Sequence, residues 1–541
     1  MTTRVSPVGD LVDIQASIRP EAKALVMPSE SLTYAELARR SDHFARSLMG
    51  LGVGYGDRVG ILMPNSVDYV LAILGAAKAG AVAVPINGRF KRAEAGYVLE
   101  HAELTVLLTG RGEGGTDFSD LVRQVIADGM PAETIGTVVD LSGGDGFLGR
   151  AAFEAAADGV ADDELRLAKA RVRVRDVAIL MYTSGTTAHP KGCLLTHEAL
   201  TRQGENVARQ RFGLQPEEGH WNPLPLFHCG GIVPMLGCFA VGAKYCHAGH
   251  FDPKQAIETI QREHCTVLYP AFEAIWLPIL EHPDFDPETF RHVRVILSIA
   301  TPERMAQYEA ILPWAPQITS YGSTEGATNL TVSLPDDSAE VRHNTLGKPI
   351  EGLEIRIVDP ETGEILGPDQ MGELCFRGYS CFDGYFKDPV TTEAHFDEDG
   401  YFHTGDRALI RADGNLVFGG RLKDMFKVGG ENVPAIEVED FLIRHPAVRV
   451  AQVVAVADGK YGEVGAAFIQ LVEGAALSEQ ELIGFCLDQI ATYKVPRYVR
   501  FVSDWPMSGT KVKKFELRER LQAELDAAGV HTAPAVRANA S

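Results

Sequence analysis

A chain of 541 residues is several times the usual domain size, so one small core is excluded and two or more folding units are expected. Hydrophobic residues at 45% and charged residues at 23% exclude a disordered or fibrous chain. With 51 Lys and Arg against 73 Asp and Glu, the net charge of −22 repels a phosphate backbone, which argues against nucleic acid as a partner.

Near the N-terminus, Arg4, Asp10 and Asp13 occur without an apolar run, unlike a secretion signal. Thr33-Tyr-Ala-Glu36 has capping-box spacing ahead of Leu37, Phe44 and Leu48, predicting a helix that Gly52 stops. Residues 59–63 read as a buried strand, 67–78 as a helix and 81–86 as a second strand, which together make one βαβ unit. The most apolar stretch, 70–86, is interrupted by Lys78 and falls short of the roughly 20 residues that cross a bilayer, so no integral membrane segment is expected. Apolar runs at 177–182, 265–269, 293–298 and 318–321 are each followed by Gly, Pro, Ser or Thr. Parallel sheets place such loops at the carboxyl ends of their strands, where ligands bind.

The character of the chain changes near 419–424. Beyond it come a Gly-rich turn, a helix pattern over 436–444, strands at 451–456 and 465–472, and a helix capped by Ser478 with Glu481 at N3. A boundary at 421–424 therefore divides an N-terminal domain, 1–421, from a C-terminal domain, 422–541. An ordinary loop inside one large domain is the alternative. The expected fold class is α/β: a large N-terminal domain of parallel and mixed sheets with flanking helices, plus a smaller C-terminal α+β domain. The eight cysteines form no C-x-x-C pair and read as reduced thiols of a cytoplasmic chain. Cys229, Cys238, Cys246, His247 and His250 cluster in sequence, but their spacings match no closed zinc pattern, and buried thiols with incidental histidines are the plainer account.

Chemistry concentrates in Tyr182-Thr-Ser-Gly-Thr-Thr-Ala-His-Pro-Lys-Gly192, directly after an apolar strand. The hydroxyls of Thr183, Ser184, Thr186 and Thr187, a flexible Gly185 and the cation of Lys191 can surround phosphate oxygens. The composition suits a triphosphate, although the Walker A pattern is absent and a polar surface turn has similar residues.

This stretch resembles the phosphate-loop signature of the adenylate-forming superfamily: acyl-CoA synthetases, peptide-synthetase adenylation domains and beetle luciferases. The similarity runs in order from Thr33 to Leu517, through Leu224-Pro-Leu-Phe-His228, Tyr321-Gly-Ser-Thr-Glu325, Gly372-Glu-Leu-Cys-Phe-Arg-Gly378, Gly400-Tyr-Phe-His-Thr-Gly-Asp406, Gly420-Arg-Leu-Lys-Asp424 and Lys511-Val-Lys-Lys-Phe515. The resemblance implies two steps: a carboxylate attacks the α-phosphate of Mg-ATP to give an acyl-adenylate and pyrophosphate, and a thiol, usually that of coenzyme A, then displaces AMP. On this basis the phosphate loop would hold the β- and γ-phosphates, Glu325 would ligate Mg²⁺, Thr324 would reach the α-phosphate, and Tyr321 with Gly322 would lie against adenine. Asp406 and Arg421 match the pair that holds the ribose hydroxyls, and Lys511 matches the lysine that bridges carboxylate and α-phosphate. Lys423 stands at the family's hinge, about which the C-terminal domain swings Lys511 out and brings in Lys427, Gly429 and Gly430.

His228 matches the position between acyl pocket and thiol channel, and Trp221, Ile232, Val233, Phe272, Ala300 and Gly322 complete an apolar pocket. No Asp stands near His228 to pair with an amino group, so the resemblance implies an amine-free medium-chain, cyclic or aryl acid. The sequence departs from the family pattern at Ala188, at Thr510 and at Ser298-Ile-Ala-Thr-Pro302, without losing a charged group. The implied enzyme is an acyl-CoA ligase using ATP, Mg²⁺ and coenzyme A, with a homodimer as the default assembly. Transfer to a carrier protein, or a catalytically silent nucleotide-binding homologue, are the alternatives.

Overall fold

The computed structural model describes residues 5–112, 116–130, 132–144, 146–183, 190–428, 431–487, 489–508 and 511–534. It forms two compact units, residues 1–355 with 376–402 and residues 356–375 with 403–541. The division lies upstream of 421–424 because Leu416–Arg421 pairs antiparallel with Phe402–Ile410, a hairpin whose residues beyond 402 belong to the second unit.

The first unit is built on two seven-stranded sheets and a three-stranded one. One large sheet contains the expected βαβ unit, now Arg58–Leu62, the helix Val67–Ala79 and Val82–Pro85, with the two strands parallel. Its Val177–Thr183 strand pairs antiparallel with Lys191–Thr196, placing Thr183 opposite Lys191. The other large sheet joins Gly219–Trp221, Cys265–Ala271 and Val295–Ser298 in parallel. The run expected as one strand at 318–321 is split: Gln317–Ile318 ends this sheet, whereas Ser320–Ser323 pairs antiparallel with Thr328–Val332. The change of sheet occurs at Thr319, whose carbonyl accepts from Ser333 N–H at 3.0 Å. Both expected capping boxes form, with the Thr33 and Ser478 hydroxyls accepting from Glu36 N–H and Glu481 N–H, each at 3.2 Å.

The second unit packs Ala435–Ile443, Glu479–Cys486 and Lys514–Ala527 against a sheet containing the long antiparallel pair Val448–Asp458 and Gly462–Leu471. Phe426, Val438, Val453, Phe468, Leu482 and Leu521 fill its core. An α/β first unit and an α+β second unit are the expected fold class. Among the described residues no helix is long and apolar enough to cross a membrane.

Lys78, the residue that interrupts the apolar stretch, has a fully buried side chain. Its ammonium meets Asp13 at 2.7 Å and Asp42 at 2.6 Å, and Lys169 contacts the same two carboxylates at 2.5 and 3.3 Å. One cation thus ties the helix Val67–Ala79 to Val8–Ile18 and Tyr34–Gly50. Removing one partner of a buried pair costs several kcal/mol, but both carboxylates are about one-third exposed and Lys169 stays. Lys78→Met is therefore expected to lower unfolding free energy by about 2 kcal/mol, measured by urea denaturation. An unchanged midpoint would show that the cluster is only a packing feature.

Candidate active site

Thr183 and Lys191 face each other where the hairpin closes, and the Thr183 hydroxyl donates to the Lys191 carbonyl at 3.4 Å. Ser184, Gly185, Thr186 and Thr187 lie outside the described residues, as does Ala188. The Lys191 ammonium sits 4.9 Å from the centre of the Tyr385 ring, a cation–π contact. On the far edge of that ring the Tyr385 hydroxyl donates to Glu325 Oε1 at 3.0 Å. Burial first, and then the charge of Glu325, pushes the Tyr385 hydroxyl far above its ordinary range, so it remains a neutral donor.

The polypeptide fixes Glu325 from two directions. It follows Ser320–Ser323 in a turn, and its carbonyl accepts from Phe382 N–H at 2.8 Å. Gly322 permits the turn: a Cβ there would stand 1.7 Å from the Thr328 carbonyl oxygen, so no side chain fits between the two strands. Thr324 is half-buried, and Tyr321 is buried on the same strand. Tyr385 was not found from the sequence, because 60 residues separate it from Glu325 and no periodic pattern spans such a gap.

His228 precedes the helix Cys229–Val241, and its ring packs 4.7 Å from that of Phe227. Asn222 holds this turn, accepting from Leu224 N–H at 2.8 Å and donating to the Gly230 carbonyl at 2.9 Å. His247, part of the sequence cluster of cysteines and histidines, uses both ring nitrogens: Nδ1 accepts from Gly249 N–H and Nε2 donates to the Leu224 carbonyl, each at 2.9 Å. Cys229 is buried, and burial pushes its thiol up to about 12. These groups stage the backbone around His228.

Of the residues expected to line an acyl pocket, Ile232 and Val233 are buried on the helix after His228, and Phe272 and Ala300 are half-buried. Trp221 departs from its expected place. It is fully buried in a core with Trp276, Phe290 and Ile257, because alternate residues of a strand face opposite sides. Its neighbour His220 takes the other face, against Phe212, Tyr245 and Tyr269.

In the second unit Asp406 and Arg421 occupy paired strand positions, and Arg421 Nε meets Asp406 Oδ1 at 3.1 Å. Asp406 is buried and its N–H is held by the Thr404 hydroxyl at 3.0 Å. Lys427 is exposed, while its N–H donates to Glu463 at 3.1 Å. Gly429 and Gly430 lie outside the described residues, and the side chains of Lys423 and Lys511 are not described. The backbone of Lys511 pairs with Ser508 in a short hairpin. The two neighbouring lysines are already engaged: Lys513 with Glu516 at 3.1 Å, and Lys514 with the largely buried Glu439 at 2.7 Å.

The family match and the acyl-CoA ligase relatives make the chain an ATP-dependent acid–thiol ligase that proceeds through an acyl-adenylate. The chain belongs to the AMP-binding enzyme family: that family's profile matches residues 12–386, and the AMP-binding enzyme C-terminal domain matches 437–511. It is 31% identical to the mitochondrial medium-chain acyl-CoA ligase ACSF2 of Rattus norvegicus, over 96% of this chain and 88% of that protein. It is 34% identical to the 3-[(3aS,4S,7aS)-7a-methyl-1,5-dioxo-octahydro-1H-inden-4-yl]propanoyl:CoA ligase of Rhodococcus jostii, over 90% of this chain and 93% of that one. The crystal structure of the anthranilate CoA ligase AuaEII in complex with anthranoyl-AMP superposes with a TM-score of 0.84 at 25% identity, covering 98% and 99% of the two chains.

Proposed function

We propose that this acyl-CoA ligase activates an amine-free, largely apolar carboxylic acid in the cytoplasm, and that the residues singled out above perform its two half-reactions. The observation that carries the assignment is the line Lys191, Tyr385, Glu325, in which one neutral tyrosine meets a cation with its ring and a carboxylate with its hydroxyl. Lys191, Thr183 and the hydroxyls of 184–187 would neutralise and align the β- and γ-phosphates. Glu325 suits Mg²⁺, a hard cation that takes carboxylate and phosphate oxygens, because one oxygen of its carboxylate is held in place by the Tyr385 hydroxyl. Bound there, Mg²⁺ would withdraw charge from the phosphate oxygens.

Asp406, as an acceptor, suits two vicinal ribose hydroxyls, with Arg421 holding its carboxylate in place. Lys511 would bridge the attacking carboxylate and the α-phosphate as pyrophosphate leaves. A domain from 422 onward, turning at Lys423, would then bring Lys427, Gly429 and Gly430 toward the thiol of coenzyme A, which attacks the acyl carbon and expels AMP. Tyr321 and Gly322 would flank adenine, and His228 would separate acyl pocket from thiol channel. A homodimer is the proposed assembly.

The testing experiment offers the purified enzyme ATP, Mg²⁺ and a panel of straight-chain, cyclic and aryl acids. Pyrophosphate release with every competent acid, and AMP release with thioester only when coenzyme A is added, is the expected result. Turnover to a thioester on a carrier protein but not on coenzyme A would transfer the assignment to the other acceptor. Tyr385→Phe keeps the ring beneath Lys191 and removes the donor to Glu325; a hydrogen bond to a charged group is worth roughly 1.5–3 kcal/mol. The expected effect is a rise of about tenfold in the Mg²⁺ concentration for half-maximal ATP–pyrophosphate exchange, with thioester formation from supplied acyl-adenylate unaffected.

A further inference from the structure

We propose that the acyl pocket ends on His220, and that the acid activated here carries one uncharged oxygen, a ketone or a hydroxyl, at the end remote from its carboxyl group; this rests on the ligase function above. His220 is 1% exposed, and neither ring nitrogen has a hydrogen-bond partner among the described residues. Burial drives its pKa down to about 3, so the imidazole is neutral, with one N–H to give and one lone pair to accept. Leaving such a buried group unmade costs about 1–3 kcal/mol, a cost that a ligand oxygen removes.

The ring borders a small space also lined by Gly204, Phe212, Val233, Thr328 and Asn329. Its free interior, about 10 Å³, matches one water-sized atom. No lining side chain is charged, so a carboxylate or an ammonium would sit there uncompensated. The Asn329 side chain is already occupied, accepting from the Thr328 hydroxyl at 2.9 Å and donating to the Tyr269 hydroxyl at 3.3 Å. His220 is the lining group with no hydrogen bond at either polar atom among the described residues.

The space adjoins the reaction site. Val233 stands one turn into the helix that His228 opens, and Thr328 lies directly beneath Gly322, where a Cβ would strike its carbonyl. Gly204 brings the helix His197–Gln210 close to Cys229–Val241, since a Cβ there would stand 2.6 Å from the Val233 carbonyl oxygen. Val233 and the strand partner of Gly322, two positions expected at the acyl pocket, thus stand beside the space that the imidazole borders.

The test compares kcat/KM for pyrophosphate release with paired acids: nonanoate against 8-oxononanoate and 8-hydroxynonanoate, and 4-cyclohexylbutanoate against 4-(4-oxocyclohexyl)butanoate. A site built to hydrogen-bond an oxygen discriminates strongly against the analogue that lacks it, so the wild type is expected to favour one oxygenated series by about tenfold or more. His220→Leu should lower kcat/KM for that series and raise it for the deoxy acids, collapsing the preference to within about threefold. Calorimetric affinities of the wild-type enzyme for the matching N-acylsulfamoyl adenosines give the same comparison without any variant. Equal wild-type kcat/KM and equal affinity for oxygenated and deoxy partners, or a preference that survives in His220→Leu, overturns the inference and leaves His220 satisfied by a buried water. Absence of pyrophosphate release with every acid overturns the ligase assignment together with it.

Discussion

Lys511→Ala is expected to reduce acyl-adenylate formation about a hundred- to a thousandfold, the loss that follows when one positioned charge is withdrawn from a developing anion. The same variant, given preformed acyl-adenylate and coenzyme A, should form thioester within about twofold of wild type, because the ammonium is needed only while two anions approach each other. Rapid-quench measurement of each half-reaction decides the matter, and equal loss in both would remove Lys511 from its role. The neighbouring lysines supply an internal control for the register of this segment. Lys513→Ala releases a surface pair with Glu516, so it should leave adenylation nearly unchanged. Lys514→Ala strands the buried Glu439, whose carboxyl burial already pushes upward, so it should appear as lowered stability before any effect on chemistry. If Lys513→Ala instead carries the large loss in adenylation, the catalytic lysine stands two residues further along than the motif places it.

Glu325→Gln should lower ATP–pyrophosphate exchange about a hundredfold and abolish its saturation by millimolar Mg²⁺. Gln keeps an oxygen to accept from the Tyr385 hydroxyl, so the turn that carries it stays folded while the charge is lost. A magnesium titration of exchange distinguishes this from a packing effect, which would depress the maximum without moving the midpoint. An unchanged midpoint in Glu325→Gln would show that the carboxylate serves only to anchor Tyr385.

The two variants probe residues of different kinds. Lys511 was found through a motif, and the structure adds only that its neighbours are committed elsewhere. Glu325 was found in the same way, but the reason its carboxylate is held in place lies in Tyr385, far along the chain. Mutational loss at Glu325 and at Tyr385 should therefore be less than additive, because both act on one carboxylate.

Much of this protein was legible in the order of its residues. The charge balance, the two capping boxes, the βαβ unit and the hydroxyl-rich segment ending at Lys191 depend on neighbours within a few positions, where propensity and periodicity operate. The family signatures, strung from Thr33 to Leu517, brought Glu325, Asp406, Arg421 and Lys511 into view by their local context. Tertiary structure alone decided what depends on distant backbone. It set Tyr385 between Lys191 and Glu325, buried Lys78 between Asp13 and Asp42, and divided 317–323 between two sheets at Thr319. It also turned Trp221 into the core and His220 toward the helices, because only the position of the strand within its sheet determines which of its two faces meets which neighbour.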